Sequence, residues 1–168
     1  MRRALLRLVF AAALLAPLLH ADEPAADPLE TRLSALVADE RVTIVRFWAP
    51  WCGNCRAEMQ PDGWAKFIAE HPDVQFVFVT IWHRDQDQQP RLEEARLTGL
   101  PNLQVLRHPN ASSRQSDRLN TLLGLPITWI PTTWVFKEGK LRFAFNYGEI
   151  RFGLLDQLVS DTRSEWKH

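Results

Sequence analysis

A β-rich apolar run, Val42-Thr43-Ile44-Val45-Arg46-Phe47-Trp48, leads directly into Ala49-Pro50-Trp51-Cys52-Gly53-Asn54-Cys55, and this junction restricts the fold more than any other stretch. The run is mostly apolar and reads as a strand buried on both sides, with Arg46 its one charge. The residues from Cys52 onward read as a helix. Two thiols three positions apart at a helix start can touch, and the helix terminus favours the thiolate of the first. They are the only cysteines among 168 residues. A disulfide between them closes a two-residue loop and removes little entropy from the unfolded chain, so it is a poor staple. That leaves chemistry as the leading use, with a structural disulfide or half of a zinc site as the competing readings. A closed zinc site needs about four ligands, and His71, His83 and His108 stand isolated in the sequence. No metal and no cofactor are expected, and His83 reads as a surface residue at a strand end.

The first residues do not belong to the fold. Arg2, Arg3 and Arg7 precede an apolar stretch, 8–19, and Ala21 fits the last residue removed. This is the layout of a secretory signal peptide over residues 1–21. The apolar stretch is shorter than the ~20 residues that cross a bilayer. Leu19 stands where a small residue is usual before a cut, so an uncleaved anchor facing the periplasm is the alternative to cleavage. Export places the chain in an oxidising compartment such as the periplasm. Losing the three arginines takes the 20 basic residues to 17 against 20 acidic ones. The full chain has zero formal charge, and without a basic excess it does not suit a nucleic-acid partner. Residues 22–40 read as a linker and an N-terminal helix, 41–163 as the main domain and 164–168 as a tail. A monomer is expected.

Periodicity supplies the remaining elements. Leu29, Leu33, Leu36 and Val37 predict a helix over 28–37, capped by Asp27 with Pro28 at its first position. Pro61-Asp62-Gly63 should kink or interrupt the helix that starts at Cys52. A second strand is predicted over 74–82, a loop over 83–89, a short helix over 90–98 and a short strand over 103–106. A helix is predicted over 115–123, ending at Gly124. Strands over 132–136 and 141–146 flank a turn at Gly139, and an amphipathic helix over 149–162 closes the chain. Strand–helix–strand followed by hairpin and helix gives an α/β fold, a central mixed sheet covered on both faces.

Phe47-Trp48-Ala49-Pro50-Trp51-Cys52-Gly53-Asn54-Cys55 resembles the active-site segment of the thioredoxin superfamily, and Ile130-Pro131-Thr132-Thr133 resembles its cis-proline loop. Arg56-Ala57-Glu58-Met59, the signal peptide and the long insert resemble the exported TlpA/ResA-like branch. The resemblance spans roughly 41–162. It implies a thioredoxin fold with a helical insert before the cis-proline loop, and a protein disulfide oxidoreductase. Cys52 is then the nucleophile, Cys55 the resolving thiol, Cys52–Cys55 the redox-active disulfide, and Pro131 a cis proline facing them. The backbone of Ile130 pairs with an extended client segment. Trp51, Gly53, Asn54 and Trp129 line the client site, and Trp48 is core. The resemblance implies protein disulfide or dithiol substrates, a membrane electron donor and a reductase of the cytochrome c or metal-site maturation type. The alternatives are an oxidase or isomerase, or a copper-binding carrier using two soft thiolates.

Two departures bear on mechanism. Arg46 occupies the strand position where thioredoxins carry a buried acid that relays protons to the second cysteine, and a cation cannot be that base. Arg46 should reach solvent or pair with an acid, because an unpaired buried charge is costly. Glu58 is a candidate relay, though a helix glutamate more often reads as solvated. Glu93 or Glu94 of the insert are the other candidates. Gly53-Asn54 matches neither the Gly-Pro of thioredoxins nor the Pro-His of strong oxidants, which leaves the direction open across about −270 to −120 mV.

Overall fold

The computed structural model describes residues 27–146 and 148–164. The predicted signal peptide lies outside the described residues, as do most of the linker and tail. In chain order the elements are α1 (Pro28–Val37), β1 (Thr43–Trp48), α2 (Gly53–Glu58), α3 (Trp64–Glu70), β2 (Gln75–Thr80), α4 (Gln89–Glu94), β3 (Leu103–Arg107), β4 (Thr121–Leu122), β5 (Leu125–Pro126), β6 (Thr132–Lys137), β7 (Lys140–Phe145) and α5 (Phe152–Arg163).

Strand β1 lies at the middle of a five-stranded sheet of order β3-β2-β1-β6-β7. It pairs in parallel with β2 and antiparallel with β6. β2 pairs in parallel with β3, and β6 pairs antiparallel with β7 through a register shift at Val135/Phe136. Every residue of β1 and of β2 is buried, as mostly apolar runs are when both faces of a sheet are covered.

Alternation sorts the two faces. On one face Trp64 of α3 makes edge-to-face contacts with Phe67, Phe76, Phe78 and Phe152, which ties α3 and α5 to the sheet. On the other, Phe47 meets Trp134 edge-on at 4.5 Å. Helix α1 lies against that side: Leu33 and Val37 are buried, and the Thr43 hydroxyl donates to the Leu36 carbonyl. Its N-cap is Asp27, whose side chain accepts from the Leu29 N–H at 2.9 Å, with Pro28 in the first turn.

The predicted helix from Cys52 is interrupted. α2 stops at Glu58, and α3 begins at Trp64. Pro61 cannot donate a backbone hydrogen bond. Gly63 lets the chain fold back, since a Cβ there would lie 2.4 Å from the Glu58 carbonyl oxygen.

The insert departs from expectation. It is not purely helical: it holds α4, the sheet strand β3 and the small hairpin β4–β5. The helix predicted over 115–123 does not form. Its first half, Gln115-Ser116-Asp117-Arg118, has no apolar face to bury and turns instead, with the Asp117 carbonyl accepting from Asn110 Nδ2 at 2.7 Å. Its second half pairs as a hairpin around Leu123 and Gly124, both at positive φ, the arrangement a tight hairpin turn demands.

Candidate active site

The register of β1 against β6 assembles the site. Phe47 stands opposite Thr132 in an antiparallel ladder. The loop leaving the end of β1 therefore lies beside the loop entering β6, one strand spacing away. The first loop carries Ala49-Pro50-Trp51-Cys52, and the second carries Trp129-Ile130-Pro131. The Ile130–Pro131 peptide bond is cis. Cys52 and Cys55 are joined by a disulfide, with Cα atoms 5.2 Å apart. Cys52 Sγ lies 3.9 Å from the Ile130 carbonyl oxygen and accepts from the Cys55 N–H at 3.2 Å.

Cys52 is the N-cap of α2, and Cys55 lies in its first turn. Cys52 is the more exposed of the two, at 6% against 1% for Cys55. The helix has only six residues, so its hold on a thiolate comes from the free N–H groups of that first turn, where such effects are concentrated.

Beneath the disulfide lies a buried ion pair. Arg46, in the all-buried strand β1, reaches Glu58, the last residue of α2; their side chains are 3% and 2% exposed. Glu58 is thus not a solvated helix residue. The break after it turns α3 back over its carboxylate, and the Trp64 Nε1–H donates to Oε2 at 3.3 Å. The second oxygen accepts from the Ile150 N–H at 2.6 Å. Arg46 also donates to Thr133 Oγ1 at 2.6 Å, its cross-strand neighbour. Burial pushes the Glu58 carboxyl above its ordinary 4.5, against the pull of Arg46, the Trp64 indole and the Ile150 N–H. Burial likewise pushes Arg46 down to about 10, with Glu58 opposing. The pair was findable in the sequence. A cation inside an apolar strand needs a partner, and Glu58 falls one helical turn past a buried cysteine, on its face.

Above the disulfide a cleft of 270 Å³ opens to solvent beside Cys52, bounded by Trp51, Trp82, Trp129 and Ile130. Trp51 donates from Nε1 to the Trp82 carbonyl at 2.5 Å. Trp129 is 58% exposed, while Trp48 is buried in the core. Gly53 and Asn54 are both exposed, and Asn54 also faces a hollow of 550 Å³ next to Gly148 and Glu149. A hollow of 880 Å³ between α1 and β4–β5 has no cysteine on its walls.

Other sequence candidates lie elsewhere. Glu93 and Glu94 are exposed on α4, where Glu94 pairs with Arg91 and Glu93 accepts from Gln89. The acid beside the cysteines is Glu58, and the insert supplies none there. His83 is not on the surface but 2% exposed. Its Nε2 meets the His108 carbonyl at 3.0 Å and its Nδ1 meets Arg107 at 2.9 Å, contacts made because β3 runs beside β2. Among the described residues, no group of three or more His, Cys, Asp or Glu could hold a metal ion, and no helix is long and apolar enough to cross a membrane.

A sequence-family model described as thioredoxin matches residues 29–123, more than half of the chain. Among solved structures, a secreted Mycobacterium tuberculosis disulfide oxidoreductase homologous to E. coli DsbE is 20% identical, with a TM-score of 0.54 over 75% of this chain and 85% of that one. A thiol:disulfide interchange protein of the thioredoxin family from Chlorobium tepidum is 21% identical, with a TM-score of 0.54 over 77% and 85%. StoA from Bacillus subtilis is 22% identical, with a TM-score of 0.50 over 71% and 83%. At these identities the likeness is one of fold. No curated protein sequence matches the chain.

Proposed function

From the premise that this chain belongs to the thioredoxin family and is a thiol–disulfide oxidoreductase, we propose that it works outside the cytoplasm as a reductase of client protein disulfides. The observation that carries the reading is the Cys52–Cys55 disulfide at the end of the central strand, with the Ile130 carbonyl 3.9 Å from Cys52 Sγ. The composition of residues 1–21 supports export. The reducing direction rests on the resemblance to the TlpA/ResA-like branch, and electrons would come from a membrane donor. The protein acts as a monomer.

In the reduced state Cys52 is the nucleophile. Its thiolate, held by the first-turn N–H groups of α2, attacks one sulfur of a client disulfide laid along Ile130. The client S–S bond breaks, its other sulfur leaves as a thiolate and takes a proton, and Cys52 is joined to the client. Cys55 then loses its proton and attacks Cys52 Sγ. The mixed disulfide breaks, the second client thiol is released, and the Cys52–Cys55 disulfide re-forms with two electrons passed to the client. Glu58 is the group that accepts the Cys55 proton: it is buried with Cys55, one turn further along α2, and burial raises its affinity for protons. Trp51, Gly53, Asn54, Trp129 and Ile130 form the client-facing surface, with Pro131 beside them.

Reduction of insulin by dithiothreitol, monitored by turbidity, tests the activity. The protein is expected to accelerate it, and a Cys52→Ala variant to abolish the acceleration; a variant of full activity sinks the nucleophile assignment. A Cys55→Ala variant is expected to accumulate mixed disulfides on Cys52. Equilibration with glutathione tests direction: a potential near about −270 mV supports a reductase, whereas one near about −120 mV makes the protein an oxidant.

A further inference from the structure

Arg118 lines the Cys52 cleft, and Arg84 borders it through Trp51 and Ser113, each with its guanidinium over a tryptophan ring. The Arg84 guanidinium lies 3.9 Å from the centre of the Trp51 ring, and that of Arg118 lies 4.2 Å from the centre of Trp82. Both rings are themselves pinned: Trp51 donates to the Trp82 carbonyl, and Trp82 donates to the Leu119 carbonyl at 2.7 Å. Arg84 Nε donates to Ser113 Oγ at 2.8 Å, and Arg118 donates to the Thr128 carbonyl at 3.1 Å. Each guanidinium has five N–H groups, so most of each edge is left for solvent or a ligand.

Stacking and a single anchoring bond fix the planes before anything binds, so little side-chain freedom is lost when a carboxylate docks on the free edge. Among the described residues, neither arginine has a carboxylate within ion-pair distance. Asp85 and Asp117 adjoin them in sequence without pairing with either, and Asp117 accepts from the Ser116 hydroxyl. No Asp or Glu lines the cleft. The backbone is committed to this arrangement too. Trp82, Arg84 and Asp85 have φ of 49°, 52° and 57°, a left-handed conformation costly for residues other than glycine. Such conformations persist where the surroundings over-determine them, and they gather at ligand sites.

We propose that this surface selects client segments carrying a carboxylate beside the reactive cysteine, read by the edges of Arg84 and Arg118, with Trp129 covering the apolar part of the segment. The proposal rests on the disulfide-exchange reading and names the class of client it serves. Docking of the carboxylate precedes exchange and makes or breaks no covalent bond.

The test uses the reduced protein and three peptides, each with one cysteine activated as a mixed disulfide with neutral pyridine-2-thiol. The neighbouring residue is Glu, Gln or Lys, and release of the thione gives the second-order rate constant. The Glu peptide is expected to react about tenfold faster than the Lys peptide at low salt, with the gap closing as salt is added. Arg84→Gln and Arg118→Gln are each expected to remove about threefold of that preference, and Arg84→Glu with Arg118→Glu to reverse it. The rate with neutral 2-hydroxyethyl disulfide should be unchanged in every variant. Equal rates for the three peptides, or a preference untouched by both substitutions, overturn the proposal while leaving disulfide exchange intact. Failure to react even with 2-hydroxyethyl disulfide removes the exchange reading, and this inference with it.

Discussion

Arginine is used in two opposite ways on the two sides of the Cys52–Cys55 disulfide. Below it, Arg46 is sealed in the sheet with Glu58, its charge meeting that carboxylate, the Thr133 hydroxyl and, at 5.5 Å, the Trp64 ring. Above it, Arg84 and Arg118 lie over indole faces, Arg84 exposed and Arg118 half-buried. The same guanidinium is a paired structural element in one place and a held contact without a carboxylate partner, among the described residues, in the other. Dielectric decides between them: a charge stripped of water is costly unless paired, while an exposed one is screened and contributes little to folding.

The largest effect expected from this contrast is on stability beneath the disulfide. Arg46→Met leaves the Glu58 carboxylate buried and alone, and denaturant unfolding should show a loss of about 3–5 kcal/mol. A loss below about 1 kcal/mol would break the comparison outright. Adding Glu58→Leu to Arg46→Met should recover part of that loss. The remaining deficit, about 1–3 kcal/mol, comes from the Ile150 and Trp64 N–H groups left without an acceptor. A double variant no better than the single one would show that the pair's worth lies outside its charges.

The pH dependence sharpens the same point. Burial raises the folded-state pKa of Glu58 above 4.5, so the folded protein holds that proton more tightly than the unfolded chain does. Its contribution is therefore fully present below 4.5 and is lost as pH rises through the folded value. The stability of the wild type relative to the Arg46→Met/Glu58→Leu variant is expected to fall as pH rises above that range, measured by urea midpoints across pH. A difference that grows with pH would reverse the sign. The smallest effects belong to the upper surface. Arg84→Gln and Arg118→Gln should each change unfolding free energy by about 1 kcal/mol or less, since each loses one cation–π contact and one exposed hydrogen bond.

The sequence is most legible where periodicity and burial agree. The β-branched and aromatic runs around Val45 and Val77 predict β1 and β2, and Leu33 and Val37 predict the buried face of α1. Cys52, Trp129 and Ile130, far apart in the chain, meet because two such strands pair antiparallel. The Arg46–Glu58 pair is legible as a buried cation needing an acid, whereas the Trp64 and Ile150 contacts to Glu58 depend on the break after α2 and on tertiary packing. The insert is hardest. Between His83 and Thr128 short polar segments satisfy their own backbone locally, as Asn110 and Ser112 do, so helical spacing around Leu119 and Leu122 misleads. The burial of His83 depends on where β3 joins the sheet, which no local pattern records.

The bulge at Val135/Phe136 has a consequence for self-association. Strand β7 ends the described sheet. The irregular ladder bends that rim, and Lys140 and Arg142 lie along it. A second copy trying to extend the sheet there would meet a warped template carrying like charge, a recognised defence against edge-to-edge aggregation.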